Sequence, residues 1–173
     1  MTRSLPFILG VIALTGVLTV SPTRAAHPAL IKLGSGAPMC SALTGSDFAK
    51  VGIQVAYTTP HVNLDDNGAS AYCSYTARSS AMGGVEFDIF GTDDPAGTIR
   101  TINGDLKGAM SPIRLNGADE AQLGTSVTSG GPPFATITVH RGRLVFDIGV
   151  PPSPRATAQL MELSKLVLHR VSP

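Results

Sequence analysis

Residues 40–52 read Cys-Ser-Ala-Leu-Thr-Gly-Ser-Asp-Phe-Ala-Lys-Val-Gly, and residues 71–75 read Ala-Tyr-Cys-Ser-Tyr. These two segments contain the only cysteines of the chain, Cys40 and Cys73. The first segment favours a short helix, and the second has the alternating pattern of a core strand. A disulfide between them would hold the helix against a sheet, and the rest of the chain can be arranged around that tether.

Several residues of the first segment are typical of a helix that faces a core. Thr44 and Asp47 have the spacing of a capping box, in which a hydroxyl and a carboxylate serve free N–H groups of the first turn. We expect Leu43 and Phe48 to face the core and Gly52 to end the helix. Because an isolated helix this short is marginal, the disulfide and the sheet must stabilise it.

The N-terminus has the three regions of a secretory signal peptide. Arg3 supplies a positive charge, residues 5–20 are nearly all apolar, and Thr23 and Ala25 are the small residues before the cleavage point. We therefore expect residues 1–25 to be a signal peptide and the mature protein to be secreted or periplasmic. An uncleaved membrane anchor is the alternative, although the apolar run is shorter than the ~20 residues that a spanning helix needs.

Behind this leader we expect a flexible lead-in over residues 26–39 and a single globular domain over residues 40–172. That length is the size of one ordinary domain. Without Arg3 and Arg24, the 13 basic and 12 acidic residues of the sequence leave a net charge of −1. No basic stretch remains, so we expect no nucleic acid as a partner, and no stable membrane span after signal removal.

Two cysteines in an exported chain are expected to pair, because disulfides persist in oxidising compartments. A bond between Cys40 and Cys73 would stabilise the fold by about 3–4 kcal/mol in the chain-entropy model. The rival interpretation is a redox-active or nucleophilic thiol. Neither cysteine has a CxxC partner or a neighbouring histidine, which argues against that chemistry.

Alternation of apolar and polar residues predicts further strands. Residues 53–57 are predicted to form one of them. Residues 85–89 alternate apolar side chains with acids and form the clearest half-buried strand in the sequence. Residues 137–148 predict a hairpin with its tight turn at Arg141-Gly142.

Two further helices are predicted from capping and periodicity. Asp94-Pro95 combines a capping carboxylate with proline at the first helical position, and Ser153-Pro154 begins the closing helix in the same way. The apolar stripe of the closing helix consists of Ala156, Leu160, Leu163 and Val167. We therefore expect an α+β fold: an antiparallel sheet with a short N-terminal helix, a middle helix and a C-terminal amphipathic helix packed on it.

The two cysteine segments contain a recognisable signature, Cys-x-x-Leu-Thr followed by Cys-Ser-Tyr. Its residues are Cys40, Leu43, Thr44, Asp47 and Phe48, then Cys73, Ser74 and Tyr75. Residues 117–121 add a Gly-x-Asp-x-Ala stretch. In these features the chain resembles small secreted lipoprotein-like bacterial domains that are common in actinobacteria. That family is largely of unknown function, so the resemblance implies a fold and a disulfide but no activity. Its members usually carry a lipidated cysteine, which this chain lacks near the expected cleavage point.

The sequence patterns that carry most enzyme chemistry do not occur here. The histidines are scattered and lack the spacing of metal ligands, so we expect no metal site; they are His27, His61, His140 and His169. Without a Gly-x-Ser-x-Gly, Gly-x-Gly-x-x-Gly or P-loop motif, we expect no catalytic residues and no cofactor. Tyr57, Tyr72 and Tyr75 fall in predicted strands, where packing explains them better than a sugar-binding face.

These observations favour an exported, non-catalytic binding module of the cell envelope or the secreted fraction, whose unknown partner is an envelope protein or a small ligand. A small periplasmic hydrolase with a Ser/His pair is one alternative, and an inhibitor or chaperone-like partner of another envelope protein is the other. A cluster of His61 or His140 with a serine and an aspartate in one concave pocket would favour the hydrolase.

Overall fold

A seven-stranded antiparallel sheet is the central element of the computed structural model, which describes residues 30–33, 37–57, 60–65, 68–78, 84–105, 109–127 and 133–172. The strands in these ranges are β1 (Ile31–Lys32), β2 (His61–Leu64), β3 (Ser70–Tyr75), β4 (Val85–Gly91), β5 (Met110–Pro112), β6 (Glu120–Val127), β7 (Pro133–Arg141), β8 (Leu144–Val150) and β9 (Val171–Ser172). The helices are a 3₁₀ helix (Ala37–Ala42), α1 (Gly45–Lys50), α2 (Pro95–Asp105) and α3 (Ala156–Arg170).

The strands of the large sheet lie in the order β2-β3-β4-β8-β7-β6-β5, and each neighbouring pair is antiparallel. β4 and β8 are distant in the chain but are neighbours at the centre of the sheet. β1 and β9 form a separate parallel pair. Helices packed on an antiparallel sheet confirm the predicted α+β fold.

One face of the sheet forms the hydrophobic core beneath α3 and the N-terminal helices. Phe87 of β4 and Phe146 of β8 are fully buried there, with ring centroids 6.3 Å apart. The predicted stripe of α3 is buried against the same core at all four positions: Ala156, Leu160, Leu163 and Val167. Burying an aliphatic or aromatic side chain of this size stabilises a fold by about 1.5–3 kcal/mol.

The N-terminal helical segment is attached to β3 by a disulfide and by a buried tyrosine. Cys40, in the 3₁₀ helix, and Cys73 form the predicted disulfide, with Cα atoms 5.7 Å apart. The Tyr75 hydroxyl donates a hydrogen bond to the carbonyl oxygen of Leu43, 2.5 Å away. The Tyr75 ring packs on Phe48, with centroids 4.8 Å apart. The predicted tether between a short helical segment and a core strand is therefore confirmed.

α1 begins and ends near the residues that the sequence indicates. The Asp47 carboxylate accepts a hydrogen bond from the backbone N–H of Thr44 at 3.0 Å, as in a capping box. Gly52 has a φ of 83°, a left-handed conformation that glycine adopts without strain. Its N–H donates to the carbonyl oxygen of Ala49 at 3.0 Å and so closes the helix end.

The fully buried carboxylate of Asp47 also joins α1 to the C-terminal end of α3. Arg170 donates hydrogen bonds to both of its oxygens, at 2.5 and 3.0 Å. Burial alone would raise the pKa of Asp47, but hydrogen bonds from Arg170, Thr44 and Lys50 outweigh that effect. They hold the pKa well below its usual range, so the carboxylate stays ionised at neutral pH.

The strand predicted at residues 53–57 is wrong. That segment makes only an isolated bridge between Val55 and Ala77, and β2 occupies the position beside β3. Val55 is partly buried and packs against the core, which explains the alternating pattern without a strand. All four residues of β2 are exposed, so no alternation of burial marks this edge strand in the sequence.

Two element boundaries also differ from their predictions. α3 begins at Ala156, because Ser153 and Pro154 belong to a turn in which the Ala156 N–H donates to the Ser153 carbonyl oxygen at 3.0 Å. The β7–β8 turn lies at Gly142-Arg143, since Arg141 still pairs with Leu144. Gly142 has a φ of 57°, which suits the first central position of a two-residue hairpin turn.

The lead-in predicted at residues 26–39 has structure of its own in its described part, which corrects that expectation. Ile31–Lys32 pairs with Val171–Ser172, and Met39 is fully buried in the core. The signal peptide predicted at residues 1–25 lies outside the described residues. Among the helices that the structure describes, none is long and apolar enough to cross a membrane.

Candidate functional site

The second face of the sheet is polar along a row through its centre. Successive side chains of a strand point to opposite faces, so the residues between core positions face away from α3. The register places Asp88 of β4 opposite Asp147 of β8, and Asp147 opposite Thr138 of β7. Tyr72 of β3 pairs with Asp88, and Gln122 of β6 pairs with Thr138. Side chains at such cross-strand positions are close neighbours.

α2 packs on this polar face and is fixed to it near its C-terminal end. Asp94 caps the helix by accepting a hydrogen bond from a first-turn N–H at 2.9 Å, as the Asp94-Pro95 pattern predicts. Ile99 is buried. The Asn103 amide donates to Gln122 at 2.9 Å and accepts from the Thr138 hydroxyl at 3.4 Å. These bonds attach the later turns of α2 to β6 and β7.

A cavity of about 570 Å³ lies between the earlier turns of α2 and the sheet. This volume falls within the range of small-molecule binding sites. The residues that line it are Asp88, Phe90 and Asp147 from the sheet, Asp94 before α2, and Gly97, Thr98, Thr101 and Ile102 from α2. Its walls are two central strands and a fixed helix, so the cavity is largely preformed.

Among the described residues that line the cavity, Asp147 is unusual because it is buried and has an unpaired oxygen. Its side chain is buried, with 7% of the residue exposed, and its Oδ1 atom has no hydrogen-bond partner among the described residues. The neighbouring Thr138 hydroxyl donates to Asn103 instead. A buried polar group without a partner destabilises a fold by about 1–3 kcal/mol. Asp147 thus lines the cavity with a carboxyl group that the described part of the fold leaves incompletely paired.

Burial and neighbouring negative charge raise the pKa values of both facing aspartates. Burial raises the pKa of Asp88 to about 7, and the charge of Glu86 adds to the effect. Burial raises the pKa of Asp147 well above its ordinary range, and the charges of Asp88 and Glu86 contribute. The environment of Asp147 therefore favours its protonated form, and Asp88 titrates close to neutrality.

Tyr72 borders this acidic pair on β3. Burial raises its pKa to about 12, and the charge of Glu86 and a hydrogen bond to that carboxylate contribute. The hydroxyl therefore stays protonated at neutral pH. Tyr75 is buried, as predicted for a packed tyrosine, but Tyr57 is 55% exposed outside any strand, so the packing interpretation is wrong for Tyr57.

The histidines of the predicted alternative site do not line the cavity. His61 lies on the exposed edge strand β2. The His140 ring forms a hydrogen bond of 2.8 Å with the carbonyl oxygen of Gly142 at the β7–β8 turn. Within the described ranges, no group of three or more His, Cys, Asp or Glu residues is arranged to hold a metal ion.

Asp88 and Asp147 do not stand out in the sequence as site residues. Each occupies a polar position in an alternating strand, where an exposed carboxylate is the ordinary expectation. The available signal is that the residues around Asp147 in Leu144–Val150 are almost all apolar, as in a strand that is buried on both faces. Their proximity depends on the pairing of β4 with β8, which the alternation does not specify.

No family model matches the chain, and no curated protein matches it. Among solved structures, a GTP binding regulator from Thermotoga maritima superposes with a TM-score of 0.44 at 9% identity, over 78% of this chain and 88% of that one. A protein of unknown function from Pseudomonas aeruginosa superposes with a TM-score of 0.33 at 15% identity, over 70% of this chain and 88% of that one. Scores this low carry no argument about function. The resemblance to secreted lipoprotein-like domains stays a prediction.

Proposed function

We propose that the protein is an exported, non-catalytic binding module that takes a small ligand into the cavity between α2 and the sheet. The signal-like residues 1–25 support export. The disulfide between Cys40 and Cys73 supports the same location, because disulfides persist in oxidising compartments. The resemblance to secreted lipoprotein-like domains is consistent with it and adds no activity.

The observation that carries the proposal is the Asp147 carboxyl group in the cavity. Its Oδ1 atom is buried without a partner among the described residues, although the hydroxyl of Thr138 is a cross-strand neighbour. A ligand that donates a hydrogen bond to this oxygen would remove the penalty of burying it unpaired. The fold thus leaves one hydrogen-bonding position of a cavity-lining side chain unfilled among the described residues.

The hydrolase alternative has less support at this site. A Ser/His hydrolase needs a hydroxyl within reach of a base. The hydroxyls of Thr98 and Thr101 donate to the helix carbonyl oxygens of Asp94 and Gly97, at 3.0 and 3.1 Å. Asp88, with a pKa of about 7, remains able to exchange protons, so turnover is an outcome that the test must detect.

The test compares the compounds that the protein retains when the cavity is open with those that it retains when a large side chain fills the cavity. The purified protein is equilibrated with a small-molecule extract of cells and medium, and retained compounds are identified by mass spectrometry. Thr101→Phe places a large side chain on the cavity lining, and Ala96→Phe places the same side chain at an exposed position of α2 outside the lining. We expect the wild-type protein and Ala96→Phe to retain the same compound, and Thr101→Phe to lose it.

Four results would overturn the proposal. Equal retention by Thr101→Phe, or no retained compound at all, would show that the cavity is not the binding site. Chemical conversion of a retained compound, abolished by Asp88→Asn, would make the protein an enzyme. In a parallel incubation with an envelope extract, capture of an envelope protein without any small molecule would favour the inhibitor or chaperone-like alternative.

A further inference from the structure

We propose that the ligand of the cavity is a small organic cation with a primary ammonium or guanidinium group, which binds between Asp88 and Asp147 and displaces a proton. This inference rests on the proposed function and names the chemical class of its ligand. Three properties of the cavity support it. The hydrogen-bond donors of its helical wall are already used within the helix, its described ionisable lining residues are all acids, and its buried carboxyl groups can each give up a proton.

The donors of α2 that border the cavity are already used inside the helix. The Gly97 N–H donates to the Asp94 carboxylate at 2.9 Å, and the Thr98 N–H donates to the Asp94 carbonyl oxygen at 3.0 Å. The Thr98 and Thr101 hydroxyls also donate to helix carbonyl oxygens. The described polar lining therefore offers acceptor oxygens, and it suits a ligand that is rich in N–H donors.

The described ionisable residues that line the cavity are all acids. Asp88, Asp94 and Asp147 all line the cavity, and no Lys or Arg belongs to the described lining. The positive end of α2 does not offer an anion site, because Asp94 already caps it. An anionic ligand would oppose the ionisation of these acids, whereas a cation would favour their ionised forms and be attracted to them.

The remaining lining residues suit an organic cation better than a metal ion. Phe90 and Ile102 provide apolar surface that a ligand's carbon chain can cover. Within the described ranges, no cluster of three acidic, histidine or cysteine ligands is arranged around a common point for a metal. The volume of about 570 Å³ also exceeds what a bare ion requires.

Proton release follows from the state of the two carboxyl groups. In the free protein, burial and the charges of Asp88 and Glu86 favour the protonated form of Asp147; when the cation binds, the O–H proton passes to solvent and the ligand's N–H groups become the hydrogen-bonding partners. The titratable groups that face the pair are Glu86 on β4, Tyr72 on β3 and Asp94 before α2. Because burial raises the pKa of Asp88 to about 7 and Asp147 also gives up its proton, affinity should rise at least tenfold between pH 6 and pH 8, by roughly tenfold from Asp88 alone.

Isothermal titration calorimetry tests the inference with agmatine and 1,4-diaminobutane as cations, 1,4-butanediol as their neutral analogue, and Mg²⁺ and Ca²⁺ as metal ions. We expect both organic cations to bind and to release a proton, measured from the dependence of the heat on the ionisation enthalpy of the buffer. Asp88→Asn and Asp147→Asn should each weaken binding at least tenfold. Glu162→Gln removes a carboxylate from the exposed side of α3 and should leave the affinity unchanged.

Thr101→Phe keeps the test decisive if an aspartate variant does not fold, because it alters an exposed helix position and should abolish binding while the circular dichroism spectrum stays unchanged. Equal binding of butanediol, binding of metal ions alone, or full affinity in both aspartate variants would overturn the inference. Retention of only neutral or anionic compounds in the extract experiment would overturn it and leave the proposed function standing. Failure of both experiments would remove both proposals.

Discussion

Asp47 and Asp147 are both buried, but they differ in protonation because their neighbours differ. Asp47 receives hydrogen bonds from Arg170 and from the Thr44 hydroxyl, and these hold its pKa well below the usual range. Asp147 lies opposite Asp88, and burial and negative charge raise its pKa. The first carboxylate joins α1 to α3, and the second is the group to which we assign the proposed ligand.

The acidic pair predicts an unusual dependence of stability on pH. Asp88 and Asp147 bind protons in the folded state at pH values where the unfolded chain, with carboxyl pKa values near 3.8, has lost them. The free energy of unfolding should therefore fall as pH rises from about 4 through about 7. Asp147→Asn should be more stable than the wild type at about pH 8, because its amide does not ionise.

Urea denaturation at several pH values between about 5 and 8 measures this effect, and Glu162→Gln serves as the charge-matched control. The control should keep the wild-type slope, and Asp147→Asn should flatten it. If Asp147→Asn and the wild type changed in parallel with pH, the protonated state of Asp147 would be contradicted.

The ion pair of Asp47 predicts a large loss of stability when one partner is removed. Asp47→Asn should destabilise the protein by about 3–5 kcal/mol, because it leaves the Arg170 guanidinium without its carboxylate. Lys50→Ala removes an exposed partner of the same carboxylate and should change stability by less than about 1 kcal/mol. Because the pKa of Asp47 is lowered, the difference should persist above pH 4 and be lost only as pH falls further. Equal losses in the two variants at neutral pH would contradict this account.

At the scale of elements, α1 depends on its attachments. It has only six residues, too few to be stable alone. Phe48 and the Asp47–Arg170 pair hold it directly, and the disulfide holds the 3₁₀ helix that precedes it. The double variant Cys40→Ala/Cys73→Ala should lose about 3–4 kcal/mol of unfolding free energy and exchange the amides of α1 faster. Denaturant unfolding and hydrogen exchange measure the two effects. A loss under about 1 kcal/mol, or free thiols in the exported protein, would contradict the tether.

The elements that bury one side are the ones that the sequence predicts correctly. β3 and β4 alternate in burial and α3 shows its stripe, because each contributes one side to a single core. β7 and β8 alternate in sequence, although their central residues are buried on both faces. β2 gives no such signal, since its residues are exposed at the sheet edge. Residues 53–57 alternate for a different reason, which is the packing of a loop segment against the core. Periodicity in the sequence indicates which residues are buried, and it indicates a strand only indirectly, because a loop packed on the core can show the same pattern.

The cavity depends on contacts between elements that no local pattern encodes. Asp88 and Asp147 meet because β4 pairs with β8, and α2 reaches them because Asn103 attaches it to Gln122 and Thr138. Capping chemistry predicts α2 itself, but not the face on which it packs. The candidate site could therefore be found only after the strand order was known.

For the whole molecule, the two faces of the sheet differ in what packs on them. The core face carries α3, the disulfide and the buried ion pair, and the described part of that face is closely packed. The other face carries α2 and a cavity lined with acids. Because the first face fixes β4 and β8 in register, it also fixes the separation of Asp88 and Asp147.

The carboxyl ¹³C resonances of aspartate, recorded by NMR during a pH titration with and without agmatine, test the central claim most directly. We predict that Asp147 stays protonated at neutral pH, that Asp88 titrates near pH 7, and that both shift to ionised values when agmatine is added at neutral pH. Titration of both groups near their ordinary pKa, with no response to agmatine, would contradict the assignment of this cavity as a site for a small organic cation.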